Sequence, residues 1–293
     1  MGAHDVTPER RPPAVSTAKL DALAQAFSER LERIAAAVDG SLAYVVVDLT
    51  SGQRVAARAD EPFPTASTIK IGILYELFRQ GDDGMLVLDE PLPLPDRSRV
   101  GGAGVLPRLH SPVISLRDHA QLMIMLSDNT ATNVLIDAVG RDRVNARMRA
   151  LGATGYRLQR KMMDVDAAAR GEENLASPND LLVVLDALRT GRGLQPASRD
   201  AALAMLRAPG STALRRGVAT GVPVAGKSGD LDGVRAEIAW VDVPARPYLI
   251  AVMGTLLADE PDAEQAITEM SAAAYRYFSR LGRAGAEGRL LPH

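Results

Sequence analysis

The sequence predicts an α/β protein in which strands from both ends of the chain complete one sheet and the middle forms a separate helical lobe. Three observations lead there. A helix-period segment and a hairpin pattern open the chain, a block of helical segments fills its middle, and two alternating segments with a last helix close it. Strand patterns at both ends, with few between, require pairing of sequence-distant segments.

From Ser16 to Val38 the apolar residues Leu20, Leu23, Phe27, Leu31, Ile34 and Val38 recur at three- and four-residue steps, ended by Asp39-Gly40. LAYVVVD (42–48), the turn LTSGQ and RVAAR (54–58) read as an antiparallel hairpin. FPTASTIKIGILYELFRQG reads as a turn entering a helix, with Ile69, Ile73, Leu77 and Phe78 on its apolar side and Gly81 as its stop. The Pro/Gly-rich stretch 89–112 is a long irregular connection. Helical patterns resume over 115–126, 130–140 and 141–152, and after a second irregular stretch (156–178) over 178–191. Segments 235–243 and 247–257 alternate as a second hairpin, and a last helix runs from Asp262 to Leu281. The expected organisation is a polar, Pro-rich tail (1–15) and one domain over 16–285. An α/β lobe takes 16–65 and 205–285 of that domain, and a helical lobe takes 66–204.

Composition narrows the function. With 293 residues, 46% of them hydrophobic, and a net charge of −2, the chain suits a soluble globular protein with no electrostatic pull toward nucleic acid or an anionic membrane. The absence of cysteine excludes disulfides, thiolate nucleophiles and cysteine-ligated metals. There is no HExxH pattern and no metal cluster, so neither metal nor cofactor is expected. Aromatic residues at 4% argue against stacking surfaces for bases. His4 and His293 fall at the termini, and His110 and His119 are expected to face solvent or cap helices. No apolar h-region or membrane-length run stands out, so neither signal peptide nor membrane segment is expected. Only four of 34 basic residues are lysines: Lys19, Lys70, Lys161 and Lys227. Arginine stays charged, whereas a desolvated lysine amine can lose its proton, so these four positions invite scrutiny.

GVPVAGKSGD (221–230) contains a literal G-x-x-x-x-G-K-S, the pattern of a phosphate-cradling loop. That loop needs a buried strand before it and a helix immediately after it. Here a Gly/Asp turn and a strand pattern follow, so the phosphate reading fails. Lys227-Ser228-Gly229 can instead be a K-[ST]-G triplet of a serine acyl-transfer enzyme, which demands S-x-x-K and S-D-N upstream. Ser67-Thr68-Ile69-Lys70 enters a helix, where three-residue spacing puts hydroxyl and amine on one face. Ser127-Asp128-Asn129 lies in the break between two helices. Each motif alone has a plainer reading, Ser67 as an N-cap and the triplet as a turn, but the three together in the required order carry the chemistry.

In STIK (67–70), SDNTATN (127–133) and KSG (227–229) the chain resembles the class A serine β-lactamases and related penicillin-recognising enzymes. The resemblance spans about Ser16 to Leu281. It implies a five-stranded antiparallel sheet flanked by the terminal helices, a helical lobe, and a site between the lobes. It further implies Ser67 as nucleophile, Lys70 as its base, and Ser127 as the proton donor to a departing ring nitrogen. Asn129 would hold a substrate amide, and Lys227 and Ser228 its carboxylate. The amides of Ser67 and of Asp230, just past Gly229, would form an oxyanion hole. Arg235 is a candidate second carboxylate anchor, or a solvated strand arginine. The glycines at 101, 102 and 104 offer a flexible lip over the cleft. The implied partner is a small β-lactam or other acyl substrate, met by a monomer. The family implies a periplasmic or secreted setting.

One stretch departs from the family. RLQR (157–160) resembles the start of the loop that holds the deacylating glutamate, yet the expected position is Met162 and E-x-x-L-N is missing. The loop's Arg–Asp tie would become Arg160 with Asn174, losing a charge pair. Asp164, Asp166, Glu172 and Glu173 are either substitute bases or solvated loop acids. The expectation is ready acylation with slow turnover, or preference for another acyl substrate. The alternatives are a serine peptidase or esterase, and a penicillin sensor that acylates once.

Overall fold

The computed structural model describes residues 17–291 except 209 and 286, so the N-terminal tail, His4 and His293 lie outside it. Helix α1 (Thr17–Ala36) leads into strands β1 (Ser41–Asp48) and β2 (Arg54–Ala57). The middle of the chain supplies α2 (Lys70–Asp82), α3 (Leu116–Met125), α4 (Asn129–Val139), α5 (Arg141–Leu151), the short α6 (Val165–Ala169), α7 (Pro178–Thr190) and α8 (Pro196–Leu206). After the single-turn α9 (Ala213–Arg216) come β3 (Val224–Leu231), β4 (Val234–Val241), β5 (Tyr248–Thr255) and α10 (Glu260–Arg283). The sheet is antiparallel throughout, in the order β2-β1-β5-β4-β3. Strand β1 therefore pairs with β5 from the far end of the chain, from Ser41 opposite Thr255 to Asp48 opposite Tyr248.

Alternation along the strands sends side chains to two cores. Tyr44, Val46, Ile250 and Val252 face α1 and α10, where Phe27 stacks on Tyr277 and Tyr248 on Phe278, both at 4.4 Å between ring centres. Val45, Ile238, Trp240 and Ala251 face the helical block. There α2 is buried on every side, Ile71, Leu74 and Tyr75 as fully as Ile73 and Leu77. The single apolar face expected for α2 understates this, because a helix enclosed by neighbours needs no polar stripe. Its one buried carboxylate, Glu76, is paired with Arg147 at 3.0 Å. Gly72 admits Tyr156, whose hydroxyl an added Cβ would meet at 2.3 Å.

Helix starts follow their caps. Ser115 with Asp118 and Ser177 with Asp180 form capping boxes on α3 and α7, and Asp259 caps α10. Helices α6, α8 and α9 appear where no helix was anticipated; the alanine-rich PASRDAALAML of α8 offers little apolar contrast to read. His119 is buried in α3, its Nδ1 2.7 Å from the Ser115 carbonyl, which corrects the expectation that it faces solvent or caps a helix; Ser115 is the cap. No described helix is long and apolar enough to cross a membrane. Among the described residues no acidic or histidine cluster is arranged to hold a metal ion.

Candidate active site

Three segments that lie far apart in sequence meet at one end of the sheet. The first is the 3-10 turn Ala66–Ile69, which carries Ser67 directly before α2. Its N-cap position is Thr65, so Ser67 is not the cap. Ala66 is held at φ +46°, a left-handed conformation that costs a non-glycine residue about 1–3 kcal/mol and aims the next residue out of the helix path. The second segment is the break between α3 and α4, where Ser127 also has a left-handed φ, +53°. The third is β3, an edge strand whose outer backbone groups have no partner strand. At Gly229 an added Cβ would stand 2.4 Å from the Ser67 nitrogen, so only glycine lets strand and turn come this close.

Lys70 is fully buried. Its Nζ donates to the Ser127 carbonyl (2.7 Å), to Ser127 Oγ (3.0 Å) and to Asn129 Oδ1 (3.0 Å). Lys227, 7% exposed, approaches the same hydroxyl from β3: its Nζ donates to Ser127 Oγ at 3.2 Å and to the Ser228 carbonyl at 2.7 Å. Burial holds the Lys70 amine well below the usual lysine range, and repulsion from Lys227 adds to the shift against the pull of Asp128 and Asp230. Burial likewise pushes Lys227 down to about 8, opposed by Asp230 and Glu237. A neutral amine has two N–H groups and one lone pair. In the neutral form Lys70 donates to Asn129 and the Ser127 carbonyl only and turns its lone pair to the Ser127 hydroxyl; none of its three contacts is to Ser67 Oγ.

Asn129 and Asp128 fix the rim. Asn129 Nδ2 donates to the Gly101 carbonyl at 3.2 Å, and its backbone nitrogen to that of Ala103 at 3.1 Å. Asp128 accepts from the amides of Val105 (2.7 Å), Leu106 (2.8 Å) and Ala131 (2.9 Å). A Cβ at Gly104 would meet that carboxylate at 2.2 Å. The glycine-rich lip is thus hydrogen-bonded to the SDN segment through the Gly101 and Ala103 carbonyls. Neither role of Asp128 announces itself in the triplet.

The cleft has a volume of about 340 Å³, with Ser67, Ser127, Asn129 and Asp230 on one side and the 160–174 loop on the other. The loop is clamped by Asn133, whose amide side chain accepts from the Met162 nitrogen (2.8 Å) and donates to its carbonyl (3.1 Å). Met162 lines the cleft where a carboxylate was expected. Asn174 does not tie Arg160 alone: its Oδ1 accepts from the amides of Gln159 and Arg160. The arginine keeps a charge pair after all, because Glu173 receives it bidentately, at 3.1 and 3.0 Å. The expected loss of that pair is corrected, and the replacement sits one residue before Asn174.

Arg235 is placed elsewhere. The register sets it opposite Asp230, but its guanidinium donates to the Leu231 and Val234 carbonyls and pairs with Glu260 of α10. It does not line the cleft. Ser228 pairs with Glu237, so alternation puts it on the opposite face of β3 from Lys227.

Residues 24–278 match the family model described as the beta-lactamase enzyme family. Beta-lactamase AST-1 of Nocardia asteroides is 32% identical over 229 residues, covering 76% of this chain and 73% of that protein. Among solved structures, PBP-A superposes with a TM-score of 0.80 at 27% identity, covering 92% of this chain and 99% of that one. A PBP-A mutant solved as an acyl-enzyme complex with penicillin G gives 0.79 at 28% identity over the same shares.

Proposed function

Because the chain belongs to the β-lactamase enzyme family, as a class A serine hydrolase, we propose that it opens β-lactam rings through a Ser67 acyl-enzyme and releases the product slowly. The observation that carries the first half is the buried, depressed Lys70 amine sharing Ser127 with Lys227. In this reading Lys70 takes the Ser67 proton as Oγ attacks the carbonyl carbon, and the amides of Ser67 and Asp230 receive the oxyanion. The C–N bond then breaks. Ser127, its oxygen accepting from Lys227 and from the now protonated Lys70, turns its own proton toward the departing nitrogen and is reprotonated by Lys70. The Lys227 charge meets the substrate carboxylate. The Asn129 side chain orients the acyl amide.

Slow release rests on Met162. Hydrolysis of the ester needs a base beside the incoming water, and a thioether supplies none. The loop acids are engaged or turned away: Glu173 is held by Arg160, Glu172 pairs with Arg170, Asp164 caps α6, and Asp166 is exposed. Mass spectrometry during turnover of benzylpenicillin tests the proposal, with an accumulating Ser67 adduct expected and lost in Ser67→Ala. Rapid turnover without accumulation would refute slow release, and an adduct surviving in Ser67→Ala would refute the nucleophile.

A further inference from the structure

A substrate with its carboxylate at Lys227 and its carbonyl on Ser67 has its direction fixed. The space left for its acyl arm beyond Ser67 is lined by Leu231 at the end of β3 and by Met162, Met163, Val165 and Ala168 of the 160–174 loop. Resting on the acyl-transfer reading above, we infer that this end of the cleft selects uncharged, apolar acyl arms, and that Met163, Val165 and Leu231 set the preference.

Those three side chains line the cleft while remaining 48%, 69% and 38% exposed. Met162 and Ala168 continue the same wall. Large apolar groups turned to water in one concavity mark a surface built to be covered. The wall is also held in place before any substrate arrives. Asn133 clamps Met162, and Asp164 caps α6 so that Val165 begins the helix at the cleft edge. Met163 is fixed at φ +64°, with its sulfur against Gly102, where an added Cβ would meet it at 3.0 Å.

The charges around the arm point the same way. Arg160 and Glu173 line this end but satisfy each other. Asp230 is exposed and has no ion pair among the described residues, since Arg235 opposite it is taken by Glu260. Lys227, the cation assigned to the substrate carboxylate, belongs to the other end. An arm bearing a carboxylate would be stripped of water beside Val165 and repelled by Asp230. An ammonium arm loses water too but is attracted by Asp230, which ranks it between the other two.

The test uses three penicillins that differ only at the α-carbon of a phenylacetyl arm, bearing hydrogen, ammonium or carboxylate. Acylation rate constants are measured by mass spectrometry of the intact chain. Hydrogen should react about tenfold or more faster than carboxylate, as one covered Val or Leu side chain implies, with ammonium between them. Val165→Asn and Leu231→Asn should each shrink the hydrogen-to-carboxylate ratio several-fold, whereas Val165→Leu should preserve it; thermal melting verifies that each variant folds. A wild-type ratio within about twofold of unity, or a ratio indifferent to both asparagine variants, overturns the preference while leaving acyl transfer standing. Failure of all three compounds to label Ser67 overturns the acyl-transfer reading, and this inference with it.

Discussion

Lys70 and Lys227 share one hydroxyl, and burial takes both amines out of the usual lysine range. They need opposite protonation states, which gives the pH dependence its shape. Lys70 works as a neutral base, so acylation should fall as pH drops through its depressed pKa. Lys227 works as a cation, so the rate should also fall above about pH 8 as it deprotonates. Lys227→Arg, which keeps its charge, should flatten the alkaline limb in a stopped-flow pH profile and leave the acid limb in place. Met162→Glu should speed release about tenfold or more by putting a carboxylate on the clamped loop; the steady-state adduct population in mass spectra would fall accordingly. The convergence of Ser67, Lys70, Ser127, Asn129 and Lys227 was legible in the sequence because three short motifs carry it. The partners of Arg235 and Arg160 were not, because each ion pair depends on how a flexible side chain turns, toward α10 in one case and along the loop in the other.

At the level of elements, the fit of β3 against the nucleophile's turn is the tightest constraint. Gly229→Ala must push strand and turn apart, and displacement of that kind costs roughly a hundredfold in rate. Acylation kinetics should show the loss, and the melting temperature should fall as well, because the clashing atoms are backbone. In the 160–174 loop, the Arg160–Glu173 pair bears on stability alone. Arg160 is 11% exposed, and removing Glu173's bidentate acceptance with Glu173→Ala should cost about 2 kcal/mol. That is a drop of roughly 2–4 °C in a thermal melt. Helices with one dry face, such as α1 and α10, were readable from their period. The enclosure of α2, the low-contrast α8 and the turn-sized α6 and α9 were not, because burial on all sides or extreme shortness leaves no periodic signature.

Across the whole molecule, one sheet joins two cores, and its only tryptophan reports on that junction. Trp240 lies on β4 facing the helical block, with the guanidinium groups of Arg207 and Arg189 4.7 and 5.9 Å from its ring. Its fluorescence during refolding should change after most helical circular dichroism has returned, since helices close locally and the sheet does not. Simultaneous recovery of both signals would count against that order.

The strand order β2-β1-β5-β4-β3 also has a meaning in time. The central strand is the last one a ribosome delivers. Until β5 emerges, β1 with β2 and β3 with β4 are two separate hairpins, each with an apolar edge open where β5 will sit. At usual synthesis speeds β1 waits on the order of 10–40 s for its partner. For that interval β1, buried along most of its length in the folded protein, is chemically finished and unclaimed along one edge.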